Sequence, residues 1–132
     1  MTNVLDAEAQ AQHAEEIADD IEALENTKAP LWAVYGPGGT WEAERKALLC
    51  AGAIIVRHQA MVDGQKFSEA AIDHIAHQRQ EYCDRIAQAT DERTQLALVE
   101  AQINKSVRRY ELAKSRMYTA GKLARFDGNN GA

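Results

Sequence analysis

The sequence predicts an all-α protein built as a helical bundle. Alanine, the strongest helix former, supplies 24 of the 132 residues, whereas the β-branched and aromatic residues that favour strands are sparse. Apolar residues recur at spacings of three and four, the period of an amphipathic helix. Both prolines fall within residues 29–41. We therefore expect an antiparallel three-helix bundle or coiled-coil core over about residues 40–125, preceded by an acidic N-terminal helix on a Pro/Gly/Trp linker.

The size and composition of the chain indicate a single domain that buries a core without disulfides or structural metal. We divide it into an acidic N-terminal helix (1–28), a linker or arm (29–40), a helical bundle domain (41–126) and a flexible tail (127–132). The longest apolar run, ALLCAGAIIV at 47–56, has ten residues. A membrane span needs about 20. This run is therefore expected to be a buried core helix, and no membrane partner is expected.

The first helix is strongly acidic. Residues 1–28 hold eight Asp or Glu against one Lys, a net charge of −7 within a chain whose total is −5. Acidic residues surround a thin apolar stripe at helical spacing. The stripe consists of Val4, Ala7, Ala14, Ile17, Ile21 and Leu24.

The segment APLWAVYGPGGTW, residues 29–41, contains both prolines, both tryptophans and three of the eight glycines. Its glycines are followed by Thr40 and Trp41 instead of the Lys-Ser/Thr pair of a phosphate-binding loop, so they predict a change of chain direction. Pro30 disfavours α conformation in the residue before it, which favours an extended arm. Such an arm would offer partner-binding anchors. The candidate anchors are Leu31, Trp32 and Tyr35. In the alternative interpretation, these side chains cover the end of their own bundle.

The bundle domain is predicted to contain three helices joined by short turns. Thr40 is the expected N-cap of a helix that ends near Val62, and the turn DGQK at 63–66 uses Gly64. Ser68 caps a second helix, 68–89. The sequence ATDER, 89–93, is expected to turn the chain into the last helix.

The last helix, about 91–125, is expected to be the longest. Apolar residues at alternating spacings of three and four predict a coiled-coil seam. At about 50 Å this helix would overhang its neighbours, each of about 22 residues. The overhang is covered either by the acidic helix or by a second subunit. Expected subunit contacts are Tyr110, Met117 and Leu123.

Metal binding and catalysis are weakly supported by the sequence. His77, Glu81 and Cys50 supply zinc-type donors, and the predicted antiparallel hairpin brings residue 77 opposite about residue 51. The alternative is an exposed His–Glu pair beside a cysteine that packs as a small apolar residue. The acidic pairs of the first helix lie on a solvated face and give no catalytic pair. We expect no enzyme activity and no cofactor, with a metal-binding bundle as the third alternative.

The C-terminal helix also presents a basic face. Residues 105–126 hold seven bases and one acid. Four bases fall within about a third of the helix circumference, where they could follow phosphates or face the acidic helix of the same or another copy. They are Lys105, Arg108, Arg109 and Arg116.

These patterns favour a non-enzymatic protein–protein interaction protein. It would be a subunit of a helical assembly, such as a phage or mobile-element accessory protein, or an adaptor or inhibitor of a larger protein. The alternative is a nucleic-acid-associated protein. Both cysteines lie in apolar helical patterns and no targeting segment is evident, so we expect a cytoplasmic protein, virion-associated if it is phage-encoded.

Overall fold

The computed structural model describes residues 2–130, and of the side chains it leaves out those of residues 2–6, 124 and 126–130. This range folds into α1 (Thr2–Tyr35), α2 (Trp41–Val62), α3 (Glu69–Gln78) and α4 (Gln80–Asn130). No strand occurs within residues 2–130, so the predicted all-α fold is confirmed. None of the helices in that range is long and apolar enough to cross a membrane.

The chain divides into two compact units. The terminal unit contains residues 1–29 and 97–132, and the central unit contains residues 30–96. The terminal unit therefore joins most of α1 to the C-terminal part of α4. The central unit contains the end of α1, all of α2 and α3, and the start of α4.

In the terminal unit, α1 packs against α4 through both alanines and larger apolar side chains. Ala14, Ile17 and Ala113 form a buried cluster, and the half-buried Ile21 and Tyr110 pack against it. Residues 20–24 line a groove together with residues 102–109, whereas Gln10 lines one with residues 115–123, so the two helices run antiparallel. The acidic helix thus covers the α4 seam within the same chain. Because alanine has no side chain beyond Cβ, the two backbones can approach closely.

In the central unit, α2 and α3 form the predicted antiparallel hairpin. The turn uses Gly64 at φ 70°, and the Ser68 hydroxyl accepts a hydrogen bond from the Ala71 amide at 3.1 Å, which caps α3. Gly52 is buried where the two helices meet, and a Cβ there would lie 3.7 Å from Cβ of Ala76. The predicted register, with residue 51 near residue 77, is confirmed.

The prediction of an extended arm at residues 29–35 is wrong. Helix α1 continues through Pro30 to Tyr35, although proline cannot donate the helical hydrogen bond. The change of direction occurs later, in residues 36–40. There Gly38 has φ 73°, and a Cβ on Gly36 would lie 2.6 Å from Cδ2 of Trp32. Thr40 does precede α2, but its side chain makes no capping hydrogen bond.

The third and fourth helices also differ from the prediction. The expected helix 68–89 is interrupted at Arg79, whose ψ of 137° is extended. The predicted turn at 89–93 is absent, since α4 continues through these residues. The Thr90 and Thr94 hydroxyls donate to the carbonyls of Ile86 and Thr90 one helical turn earlier. These bonds satisfy the threonines inside the helix. Residues 127–130 of the predicted flexible tail are helical, and residues 131–132 lie outside the described range.

The two tryptophans occupy different environments, which predicts different effects of their removal. Trp41 is 4% exposed and Trp32 is 41% exposed. Trp41→Ala should lower the free energy of unfolding by about 3 kcal/mol because it opens a cavity in the central unit. Trp32→Ala should lower it by about 1 kcal/mol or less. Urea denaturation of both variants measures this difference; equal losses would contradict the packing described.

Candidate interaction surfaces

A cluster around Arg85 joins three helices of the central unit. The Arg85 guanidinium donates from Nε and Nη2 to the two carboxylate oxygens of Glu44, at 2.7 and 3.1 Å. Its Nη1 donates to the Tyr35 hydroxyl at 2.9 Å. Arg85 therefore links the end of α1 and the start of α2 to α4. A two-point contact of this kind fixes the orientation of the planar guanidinium as well as its distance.

Aromatic rings complete the Arg85 cluster. The guanidinium carbon of Arg85 lies 4.6 Å from the centroid of the Trp41 ring, and the Tyr35 and Trp41 centroids are 5.8 Å apart. Arg93 lies on α4 two turns later, with its guanidinium carbon 5.7 Å from the Tyr35 centroid. These distances fall within the range of cation–π attraction. Tyr35, a predicted partner anchor, is half-buried and has its contacts inside the chain.

The Arg85 cluster shifts the titration of its members. The hydrogen bond from Arg85 lowers the pKa of the Glu44 carboxyl below its usual value. Burial raises the pKa of the Tyr35 hydroxyl, against the opposing effect of its hydrogen bond from Arg85. The bonds to Glu44 and then to Tyr35 raise the pKa of Arg85. This combination stabilises an anionic Glu44 beside a neutral Tyr35.

The hairpin exposes a set of large apolar side chains, which we name the hairpin surface. Four of these side chains lie on α2 at positions 54, 55, 61 and 62. This spacing of i, i+1, i+7 and i+8 places them along one side of the helix. The exposed fractions are 64% for Ile54, 49% for Ile55, 73% for Met61, 65% for Val62 and 40% for Phe67. The prediction that residues 47–56 form a buried core helix is therefore wrong for Ile54 and Ile55, although Gly52 and Val56 of the same run are buried.

Two grooves meet at Phe67 on the hairpin. One, of about 570 Å³, is lined in part by Met61, Phe67 and Ile72. The other, of about 370 Å³, is lined in part by Ile55, Phe67 and Ile75. Beside them Arg57 on α2 is paired with Glu69 on α3 at 2.6 Å. The hairpin surface thus has relief into which apolar side chains of another molecule can fit.

The four predicted nucleic-acid contacts of α4 lie on the surface of the terminal unit. Lys105, Arg108, Arg109 and Arg116 are all exposed. Within the part of the chain whose side chains the structure describes, none of these four bases has a nitrogen within 4.0 Å of a carboxylate oxygen of the acidic helix. Lys105 and Arg109 line a groove with Asp20, so one acidic residue of α1 lies on the same side.

The remaining predicted contact residues are distributed over both units. Leu31 is half-buried and Trp32 is 41% exposed, both in the last turns of α1. Tyr110 packs against the buried cluster of the terminal unit, and Met117 on the same helix is half-buried. Leu123 is 49% exposed. The acidic helix therefore covers Tyr110, and Leu123 is left at the surface.

The three residues proposed as weak metal ligands, His77, Glu81 and Cys50, are not arranged as a metal site. The His77 Nδ1 lies 2.7 Å from the Asp73 carbonyl oxygen, and its ring meets the Tyr82 ring edge-on at 5.3 Å. Glu81 lies 4.0 Å from Arg79, and Cys50 is an exposed free thiol. Within the described part of the chain, no three His, Cys, Asp or Glu side chains are grouped to hold a metal ion.

Sequence reasoning missed two of these features. Glu44 and Arg85 are 41 residues apart, and nothing in the local sequence of either predicts their pairing. The apolar run at 54–56 is a local signal for the hairpin surface, but its continuous apolar pattern equally predicts a core segment. Comparisons with family models, curated proteins and solved structures find no match. The functional argument therefore depends on the residues of this chain.

The Glu44–Arg85 pair predicts an acid-dependent loss of stability. Because the folded state lowers the pKa of Glu44, the pair contributes stability above about pH 4.5, and this contribution is lost as the pH falls through the lower folded-state pKa. Glu44→Gln should remove about 1 kcal/mol at pH 7. The variant should also lose less stability than the parent protein between pH 5 and pH 3.

Thermal unfolding at several pH values measures this effect. Glu42→Gln is the matched control, since Glu42 pairs with Arg45 three residues along the same exposed helix face. It should leave the stability at pH 7 nearly unchanged. A Glu44→Gln protein with the acid profile of the parent would show that the pair contributes nothing to folding.

Proposed function

We propose that this protein is a non-enzymatic protein–protein interaction protein that docks through the hairpin surface. The observation that carries the proposal is the concentration of five large apolar side chains within residues 54–67, each between 40% and 73% exposed. Single exposed apolar residues are ordinary on monomers, but contiguous apolar patches mark interfaces. Association would remove this surface from water.

The chemistry of the hairpin surface favours a protein partner with an apolar helix or ridge. Isoleucine, valine, methionine and phenylalanine offer burial without directional hydrogen bonds, and burial contributes about 25 cal/mol per Å² of apolar area. Met61, with its flexible thioether, adapts to partners of different shape. Around these residues lie Arg57, Lys66 and Glu69, which supply a polar rim.

Two arrangements fit this proposal. The protein would act as a subunit of a helical assembly, such as a phage or mobile-element accessory protein, or as an adaptor or inhibitor that binds a larger protein. Trp32, in the last turns of α1, is a further candidate contact because tryptophan is enriched among strongly binding interface residues. A cytoplasmic location is part of the same proposal.

Nucleic-acid binding is the second candidate. Lys105, Arg108, Arg109 and Arg116 are exposed on α4, which favours a phosphate-tracking face. Two observations favour protein instead. Leu98 and Leu112 are 60% and 51% exposed on the same side of α4, and the chain as a whole has a net charge of −5. The salt dependence of binding to a labelled DNA duplex tests this candidate, because phosphate contacts weaken steeply with added salt.

The hairpin proposal predicts that polar substitutions at its centre abolish partner binding. Tagged parent protein and the double variant Met61→Ser, Phe67→Ser are used to capture partners from the native host, and the captured protein is then purified and titrated against both. Loss of two apolar anchors should weaken the dissociation constant at least about thirtyfold, or about 2 kcal/mol.

Tyr118→Ser is the matched control. Tyr118 is 68% exposed on α4, outside the hairpin surface, so its loss removes a large exposed side chain elsewhere. This variant should bind as the parent does. The hairpin proposal would be overturned if the Met61, Phe67 variant bound the purified partner with the affinity of the parent protein.

A further inference from the structure

One side of α2 carries four apolar side chains with a histidine at their centre. At about 100° per residue, all five fall within about 120° of the helix circumference, with the histidine in the middle. All five are exposed. We name this set the α2 stripe: Ile54, Ile55, His58, Met61 and Val62.

The α2 stripe faces away from α3, the helix on which α2 packs. The buried Val56 and Ala60 line the grooves between α2 and α3, and each is about 160° from His58 around the helix. Met61 and Ile55, at the two edges of the stripe, each line one of these grooves. The other three members of the stripe line neither groove. The centre of the stripe is therefore open to another molecule.

The α2 stripe is nearly symmetric about His58. Ile54 lies four residues before it and Val62 lies four after it, whereas Ile55 lies three before it and Met61 three after it. A two-fold axis through an antiparallel helix pair brings each position before the centre opposite the matching position after it. A stripe with apolar side chains at all four of these positions is therefore complementary to itself. An unrelated partner would not require this symmetry.

We propose that the α2 stripe binds the same stripe of a second copy of this chain, with the helices antiparallel and the two-fold axis at His58. In this contact Ile54 packs on Val62 of the second copy, and Ile55 packs on its Met61. The inference rests on the proposed docking role of the hairpin surface, which contains the four apolar members of the stripe, and it names the occupant of that surface.

The charges around the α2 stripe fit a second copy. Arg57, on one flank of the stripe, is paired with Glu69 of α3 at 2.6 Å. The two-fold axis brings the same flank of both helices together, so the two Arg57–Glu69 pairs meet with no net charge on either side. Asp63 lies about 140° from His58 and accepts hydrogen bonds from Gln59 Nε2 at 3.1 and 3.2 Å. Within the described part of the chain, no ion pair joins His58 to α3 or α4.

The central position of His58 makes the proposed contact sensitive to pH. Histidine is the side chain that ordinarily changes its charge between about pH 5 and pH 8. Two neutral imidazoles that face each other can share a hydrogen bond, since each has one donor and one acceptor nitrogen. Two imidazolium rings within an apolar contact repel each other and lose their hydration. The dimer therefore binds fewer protons than two free copies, and association weakens as the pH falls.

Sedimentation velocity of the full chain at about pH 8 and about pH 5.5 tests the proposal. The contact covers about 13 Å of each helix. It is therefore smaller than a standard interface of about 800 Å² per partner, which predicts a micromolar dissociation constant. The parent protein should form a dimer at pH 8, and its dissociation constant should weaken at least about tenfold at the lower pH.

Substitutions of His58 separate its charge from its position. His58→Leu should dimerise equally at both pH values because leucine gains no proton, and His58→Lys should stay monomeric at both. His74→Gln is the matched control: His74 is an exposed histidine of α3 outside the stripe, so this variant should keep the pH response of the parent. Circular dichroism verifies that each variant keeps its helices. A pH response that persists in His58→Leu would overturn the central role of His58.

Disulfide cross-linking tests the position of the two-fold axis. In a Cys50→Ser, Cys83→Ser background, His58→Cys places a thiol on the axis, and oxidised glutathione should convert this variant into a covalent dimer at pH 8. Ala51→Cys is the control on the same exposed side two turns earlier. It should remain uncross-linked, because residue 51 faces residue 65 of the second copy. Equal cross-linking at both positions would contradict the antiparallel contact.

The outcomes distinguish failure of this inference from failure of the proposed function. The inference is overturned if the parent is monomeric at pH 8, or if the double variant Ile54→Ser, Val62→Ser dimerises as the parent does. A monomeric parent that binds a host protein, with binding lost in the Met61→Ser, Phe67→Ser variant, would overturn the dimer and keep the hairpin proposal. A monomeric parent whose partner binding survives in that variant would overturn both.

Discussion

The packing of Arg85 against Glu44, Tyr35 and Trp41 is the interaction on which the central unit depends. It connects residues from α1, α2 and α4 that are up to 50 positions apart in sequence. The guanidinium is a good choice for this position because it offers several donors in one plane and an apolar face for the indole ring. With Arg85 in place, the turn at 36–40 is fixed between two helices whose ends meet one cation.

Alanines supply five of the eleven buried apolar side chains among the residues that the structure describes. Alanines occupy much of the buried cluster in the terminal unit and recur in the α2–α3 contact. Small residues let helices approach closely but bury little apolar area each. Several larger apolar residues, Ile54, Met61 and Val62 among them, lie on the surface.

Helix type and the main apolar faces could be predicted from the sequence, because spacing of three and four is a local property. Ile17, Ile72, Ala76 and Ile103 are buried as their spacing indicates. The end points of the helices were harder. Pro30 and the threonines of 89–94 are ordinary interruption signals, yet the helices continue through them, since tertiary packing outweighs local preference. Nothing local indicates the break at Arg79.

The candidate surfaces were predictable only in part. The basic residues of α4 and the acidic residues of α1 are visible in the sequence, and their positions on helix faces follow from the helical period. The exposure of Ile54 and Ile55 could not be predicted from the sequence, because a continuous apolar run has the same pattern whether or not another helix of the same chain covers it. Whether such a run is buried depends on contacts far away in sequence.

Oxidation of the methionines tests most directly whether the hairpin surface is open. Met61 is 73% exposed and Met117 is half-buried on α4. The purified protein is treated with dilute hydrogen peroxide, and the sulfoxide at each position is followed by mass spectrometry of proteolytic fragments. The structure predicts that Met61 is oxidised several times faster than Met117 and nearly as fast as in the urea-unfolded chain. Equal protection of Met61 and Met117 in the isolated monomer would contradict an open hairpin surface.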